Sequence, residues 1–209
     1  MTKIATKKVR CSICKLKSEQ MEILSSSSFG CDLDMRPGGM IRSTLRYELQ
    51  ECPACGYVAS AISIRPLFMK RYILSSEYRN CGGLEIKSEL TRRFYKNYLL
   101  MLKEQKYEKA FYSLLKCAWV SDDKKDSEMA AFFRDQCLEL IEKLEKSEKI
   151  ITLRADLLRR TGKYEEVIKE YSNLKLTDEM LNEIVKFQVK LAYNRDNGCY
   201  TVADTGYKK

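Results

Sequence analysis

An α+β fold that is mostly α is predicted by three observations. Two Cys-x-x-Cys pairs lie in the first 55 residues, turn chemistry breaks up that same stretch, and helical periodicity runs from Ser88 to about Arg195. The expected architecture is a small N-terminal zinc ribbon with short antiparallel strands, followed by a degenerate tetratricopeptide-like helical stack. The division falls near residue 66: residues 1–65 form the ribbon with an inserted loop, and residues 66–209 form a linker and the helical domain.

The ribbon rests on Cys11-Ser12-Ile13-Cys14 and Cys52-Pro53-Ala54-Cys55-Gly56-Tyr57. Two residues between the cysteines of each pair let the backbone wrap a cation, and four thiolates complete the tetrahedral set that zinc accepts in structural sites. Gly56 supplies the tight or left-handed turn after the second pair. Cys11, Cys14, Cys52 and Cys55 are therefore the candidate ligands of a structural Zn2+. The alternatives without metal are one pair as buried free thiols or both pairs as a redox couple, and iron can occupy the same four sulfurs. Between Cys14 and Cys52 stand 37 residues, more than the roughly 15–20 of the simplest paired pattern, so an insertion holding Phe29 to Ile41 separates the two turns. A catalytic metal is disfavoured, because four thiolates leave no open position and the chain has no histidine.

Nine cysteines are an odd number for a disulfide framework, and no secretory leader is expected from the basic N-terminus, which has no apolar run behind it. Cys31 and Cys81 read as small apolar fillers, and Cys117 and Cys137 fall on apolar helical faces. Cys199 is isolated near the end. Hydrophobic residues at 44% and charged residues at 32% mark a chain able to bury a core. No stretch approaches the roughly 20 apolar residues of a membrane span, so a cytoplasmic location is expected.

Within the first 65 residues, Ser25 to Ser28 and Pro37-Gly38-Gly39 are the clearest breaks, and strands are expected at Tyr47 to Gln50 and Tyr57 to Ile62. Beyond the linker, apolar spacing predicts helices over Ser88–Glu104, Tyr107–Val120, Ser127–Leu144, Lys149–Arg160, Tyr164–Asn173 and Asp178 to about Arg195. The first two should pair antiparallel, Ser121-Asp122-Asp123 should interrupt the second, and Thr177 should cap the last. The final ten or so residues read as frayed. Gly162-Lys163-Tyr164 has the small residue and aromatic of a tetratricopeptide-like turn, and Gln105-Lys106-Tyr107 is a weaker version. The two tyrosines are 57 residues apart, against about 34 for regular repeats, so one irregular hairpin should lie between them.

The combination of Cys11 and Cys14, Asp32-Leu33-Asp34-Met35-Arg36-Pro37, Cys52-Pro53-Ala54-Cys55-Gly56-Tyr57, Ala118-Trp119 and Gly162 to Glu166 resembles an uncharacterised bacterial family called domain of unknown function 2225. The resemblance covers nearly the whole chain. It implies a four-cysteine zinc ribbon joined to tetratricopeptide-like helices and brings no activity with it.

Charge is uneven. The first 104 residues carry 18 Lys and Arg against 10 Asp and Glu, whereas the remaining 105 carry 20 against 19. Three kinds of function follow for weighing. A helical array presents a groove for another protein, which makes a cytoplasmic zinc-binding scaffold or adaptor the favoured reading. Lys3, Lys7, Lys8, Arg10, Lys15 and Lys17, with Arg36, Arg42 and Arg46 in the insertion, can meet nucleic-acid phosphates, with Phe29 or Tyr47 stacking on bases. Asp32, Asp34 and Arg36 can do acid–base work, but in this turn they more readily bond their own backbone. Without an activated nucleophile or phosphate loop, no enzyme is expected. The sequence leaves the oligomeric state and the partner open.

Overall fold

Residues 2–207 are described by a computed structural model. Strands β1 (Lys3–Arg10) and β2 (Lys17–Ser25) pair antiparallel with Lys8 opposite Glu19 and Lys7 opposite Gln20. A lone two-stranded ribbon is marginal in water. This one is anchored at its base, where Val9 is its one buried residue and Gln20 donates to the Glu51 carbonyl at 3.0 Å. The chain then passes through the inserted loop and a 3-10 helix (Met40–Tyr47) to β3 (Gln50–Glu51), which pairs with β4 (Val58–Ala59).

The strands expected at Tyr47–Gln50 and Tyr57–Ile62 shrink to these two-residue pieces. Tyr47 instead ends the 3-10 helix, Leu49 is buried in the helical core, and the Ile62 N–H bonds the Gln50 side chain at 3.1 Å rather than a strand partner.

Two single-turn helices, α1 (Lys70–Ile73) and α2 (Ser76–Arg79), lead into the stack. It comprises α3 (Glu89–Lys103), α4 (Tyr107–Asp123), α5 (Ser127–Ile141), α6 (Glu148–Arg160), α7 (Tyr164–Tyr171) and α8 (Glu179–Tyr193). Each long helix is packed against the next, and α8 also returns to α6. Side-chain caps start four of them: Ser88, Asp126, Ser147 and Asp178 each accept from the backbone N–H three residues on. Asp178, not Thr177, caps α8, because Thr177 gives its N–H and hydroxyl to Glu148. Nor does Ser121-Asp122-Asp123 interrupt α4. The Ser121 hydroxyl bonds the Cys117 carbonyl at 2.9 Å, and both aspartates are held by arginines from other segments, so the helix carries them.

One core gathers Phe94, Phe111, Leu114, Phe133 and Leu153 from α3 to α6, and it also takes in Leu45, Leu49 and Val58 from the N-terminal part. A second core surrounds the cysteine pairs and includes Leu100 of α3.

The tail is ordered rather than frayed over its described residues. The Leu33 N–H donates to the Tyr200 carbonyl and the Val202 N–H to the Cys31 carbonyl, both at 2.9 Å. A capping box at Thr201 and Asp204 then starts a 3-10 turn (Val202–Thr205). Lys208 and Lys209 of the tail, and Met1 of the basic N-terminus, lie outside the described residues.

Candidate metal centre

The two Cys-x-x-Cys turns are built alike. In the first, the Cys11 N–H donates to the Leu16 carbonyl at 2.8 Å and the Lys15 N–H to the Cys11 carbonyl at 3.0 Å. In the second, the Cys52 N–H donates to the Tyr57 carbonyl and the Gly56 N–H to the Cys52 carbonyl, both at 2.9 Å. Each turn needs a left-handed residue directly after its second cysteine: Gly56 has φ 71° and Lys15 has φ 68°. Gly56 is visible in sequence as a turn residue, whereas Lys15 carries no such signal. Added space is not the reason for the glycine, since a Cβ there would meet only the tip of Lys96 at 3.4 Å.

These turns bring Cys11, Cys14, Cys52 and Cys55 together with all four Sγ atoms within 4.8 Å of one another. The Cys11–Cys55 pair is at 3.7 Å and the Cys14–Cys52 pair at 3.4 Å. A tetrahedron of sulfurs at about 2.3 Å from a central ion has edges of about 3.8 Å, whereas a disulfide needs about 2.05 Å. The spacing therefore fits four thiolates around a metal ion such as zinc. Cys11, Cys52 and Cys55 are buried and Cys14 is exposed.

The Leu16 N–H aimed at Cys14 is the main cause that lowers its thiol to about 7, which favours the thiolate a metal needs. Burial pushes the Cys52 and Cys55 thiols up, and backbone donors at each oppose that shift. Without a cation, such buried thiols stay protonated. Binding a metal would deprotonate them and join its free energy to folding. Val9, Ile13, Tyr57, Ile62, Ile73, Tyr78 and Leu100 close around the sulfurs. The Ser12 N–H reaches the Ile62 carbonyl at 2.9 Å and ties the first turn to the segment after β4.

The other cysteines stand apart from this centre. Cys117 and Cys137 are fully buried in the helical core, and Cys81 is buried at its edge. Cys31 lies in the inserted loop, and the Cys199 thiol points to Asp32 at 3.5 Å.

Asp32, Asp34 and Arg36 form a fastening away from the sulfurs. Asp34 accepts the Trp119 indole N–H at 2.6 Å and the Arg36 backbone N–H at 3.1 Å. Arg36 grips Asp123 with two bonds of 2.9 and 2.6 Å, and its guanidinium lies 5.7 Å from the Trp119 ring centre. Asp32 binds Arg42 at 2.8 Å. Asp34 thus shapes the turn through the Arg36 N–H, and Asp34 and Arg36 also dock the inserted loop onto α4, whereas Asp32 holds Arg42. Residue spacing offers no hint of Trp119 or Asp123 as its partners.

Of the cations near the first turn, Lys7 pairs with Glu22 at 3.9 Å. Lys3, Lys8, Arg10, Lys15 and Lys17 are exposed. Arg36 and Arg42 are committed to aspartates, and Arg46 is exposed. Phe29 is exposed and Tyr47 half-buried.

The supposed linker holds a second surface feature that the sequence reading passes over. Ile64, Leu67 and Phe68 are 66%, 75% and 95% exposed. They line a groove of about 850 Å³ between the segment after β4 and helices α3 and α4. Its signal in the sequence is an apolar run around Pro66.

No protein-family model, curated protein or solved structure matches this chain. Among the described residues, no helix is long and apolar enough to cross a membrane.

Proposed function

We propose that this chain is a cytoplasmic, zinc-binding scaffold or adaptor that binds another protein through its helical region. In this reading the four cysteines hold a structural Zn2+ that organises the N-terminal part, and the chain is a member of the bacterial family it resembles, with a degenerate tetratricopeptide-like stack. The observation that carries it is the groove against α3 and α4, because three large apolar side chains stand in solvent along one wall. A contiguous apolar exposure of this kind marks an interaction surface. A closed four-sulfur centre supports a structural role over catalysis, since it offers no coordination position to a substrate. The experiment is to place a photoreactive side chain at Leu67, and separately at the exposed Tyr193 on α8, and to cross-link in the native cell. A protein joined at Leu67 and absent at Tyr193 supports the reading. Nucleic acid recovered at Lys8 or Lys17 with no protein at Leu67 contradicts it.

The nucleic-acid alternative is favoured by one observation, the exposed cations Lys8, Arg10, Lys15 and Lys17 around the first cysteine turn. A zinc ion with four thiolates carries a formal charge of about −2. Those cations can serve to offset that charge, so they do not by themselves require a phosphate partner.

A further inference from the structure

The groove has a chemistry of its own. Its apolar wall comes from Ile64, Leu67 and Phe68, and its opposite rim comes from α3 and α4, which present Lys103 and Lys109 to solvent. Arg65 stands between the apolar side chains. Two other rim lysines are already neutralised: Lys106 pairs with Glu104 at 2.5 Å, and Lys116 pairs with Glu48. Lys103 has one distant acidic neighbour, Glu77 at 4.0 Å, with both side chains more than half exposed. Among the described residues, Arg65 and Lys109 have no acidic partner within salt-bridge distance. The two acidic residues of the lining are thus spent on lysines, and a net positive rim is left facing an apolar wall.

Phe68 strengthens the case independently. Its backbone is left-handed, with φ 56°, a conformation that costs a bulky residue on the order of 1 kcal/mol or more. Yet the residue is 95% exposed, so its own side chain makes almost no contact that offsets that cost.

From these features we infer that the groove takes an acidic segment of a partner protein that also carries large apolar side chains. Its carboxylates meet Arg65, Lys103 and Lys109, and its apolar side chains cover Ile64, Leu67 and Phe68. This inference rests on the protein-binding reading above. Burying the exposed aromatic supplies most of the affinity, while the cations set the charge of the partner and speed its approach.

The test selects peptides from a random displayed library on the zinc-loaded full chain and measures the enriched ones by fluorescence anisotropy. Enriched peptides should combine Asp or Glu with Leu, Ile or Phe. They should bind about tenfold more weakly to Phe68→Ala and to the Lys103→Glu/Lys109→Glu double variant, a change worth about 1.4 kcal/mol. A Lys124→Glu/Lys190→Glu control carries the same charge change at exposed sites elsewhere and should bind as the parent does. All variants alter exposed side chains, and circular dichroism with zinc content checks that each is folded. Enriched peptides that lack acids, or that bind the groove variants as well as the parent, overturn the inference while leaving a protein-binding function standing. Failure to enrich any peptide overturns both. Concentration-dependent dimers abolished by Phe68→Ala would make the occupant a second copy of this chain and also overturn the inference.

Discussion

Trp119 in α4 donates its indole N–H to Asp34 of the inserted loop at 2.6 Å, joining positions 85 residues apart. Asp34 is buried, and the cost of burying its charge, with Asp156 adding repulsion, raises its carboxyl from 3.8 to about 6. The native state therefore holds a proton more readily than the unfolded chain. As pH falls from 7 towards 5 the native state gains relative stability from this group, and as pH rises through about 6 that gain is lost. Trp119 is the only tryptophan, so its fluorescence should titrate with a midpoint near 6. Asp34→Asn keeps an acceptor for the indole and should remove the transition. A transition unchanged in that variant would assign it to another group.

Arg36 and Asp123 make an unequal pair. The Arg36 side chain is 5% exposed and that of Asp123 is 49%. Removing Asp123 leaves a buried guanidinium without its partner, at a cost of about 3 kcal/mol or more, whereas removing Arg36 leaves a carboxylate that water can solvate. Urea denaturation should show Asp123→Ala to be more destabilised than Arg36→Met, which replaces the buried guanidinium by an uncharged side chain. Equal losses would mean that packing, not charge, dominates the fastening.

Four helix ends share one turn. After α3, α4, α6 and α8 the left-handed position is filled by Gln105, Lys125, Gly162 and Arg195, with φ of 57°, 59°, 78° and 52°. In each case the next N–H reaches back five residues: Lys106 to Met101, Asp126 to Ser121, Lys163 to Leu158 and Asp196 to Leu191. Gly162→Ala meets no atom within 4 Å, so its loss, about 1 kcal/mol, should be purely torsional. Gln105→Gly should gain stability by a similar amount, less the side-chain contacts it gives up. Thermal unfolding that moved in the same direction for both variants would refute this account of the turns.

Those turns explain how much of the fold can be read in advance. Helices α3 to α8 are legible because an apolar stripe recurs at helical spacing, and the Gly162 turn is legible because glycine announces a left-handed residue. Lys125 and Arg195 adopt the same conformation without announcing it, since the hydrogen bonds of the turn outweigh the torsional cost. The cysteine cluster is legible because its ligand types are rare and paired at a fixed interval. The loop fastening is not, because Asp34, Arg36, Trp119 and Asp123 meet only through the tertiary fold. The ordered tail escapes for the same reason: Tyr200 and Val202 gain their partners from the loop at Cys31 and Leu33.

The cysteine centre predicts selective loss of metal. Cys14→Ser and Cys52→Ser should release zinc, because each opens a closed tetrahedral site, while Cys117→Ser and Cys199→Ser should retain one zinc per chain by mass spectrometry. Since the core around the sulfurs also holds Leu100 of α3, chelation should loosen the start of the stack while leaving most of the helical circular-dichroism signal. Loss of the entire signal on chelation would show that the metal centre and the helices unfold as one.

The most direct measurement is zinc-edge X-ray absorption on protein purified without chelator. Four sulfurs at about 2.3 Å, and no oxygen or nitrogen neighbour, are predicted for the site of Cys11, Cys14, Cys52 and Cys55. An absence of bound metal, with Cys11 joined to Cys55 or Cys14 to Cys52 as a disulfide, would contradict it.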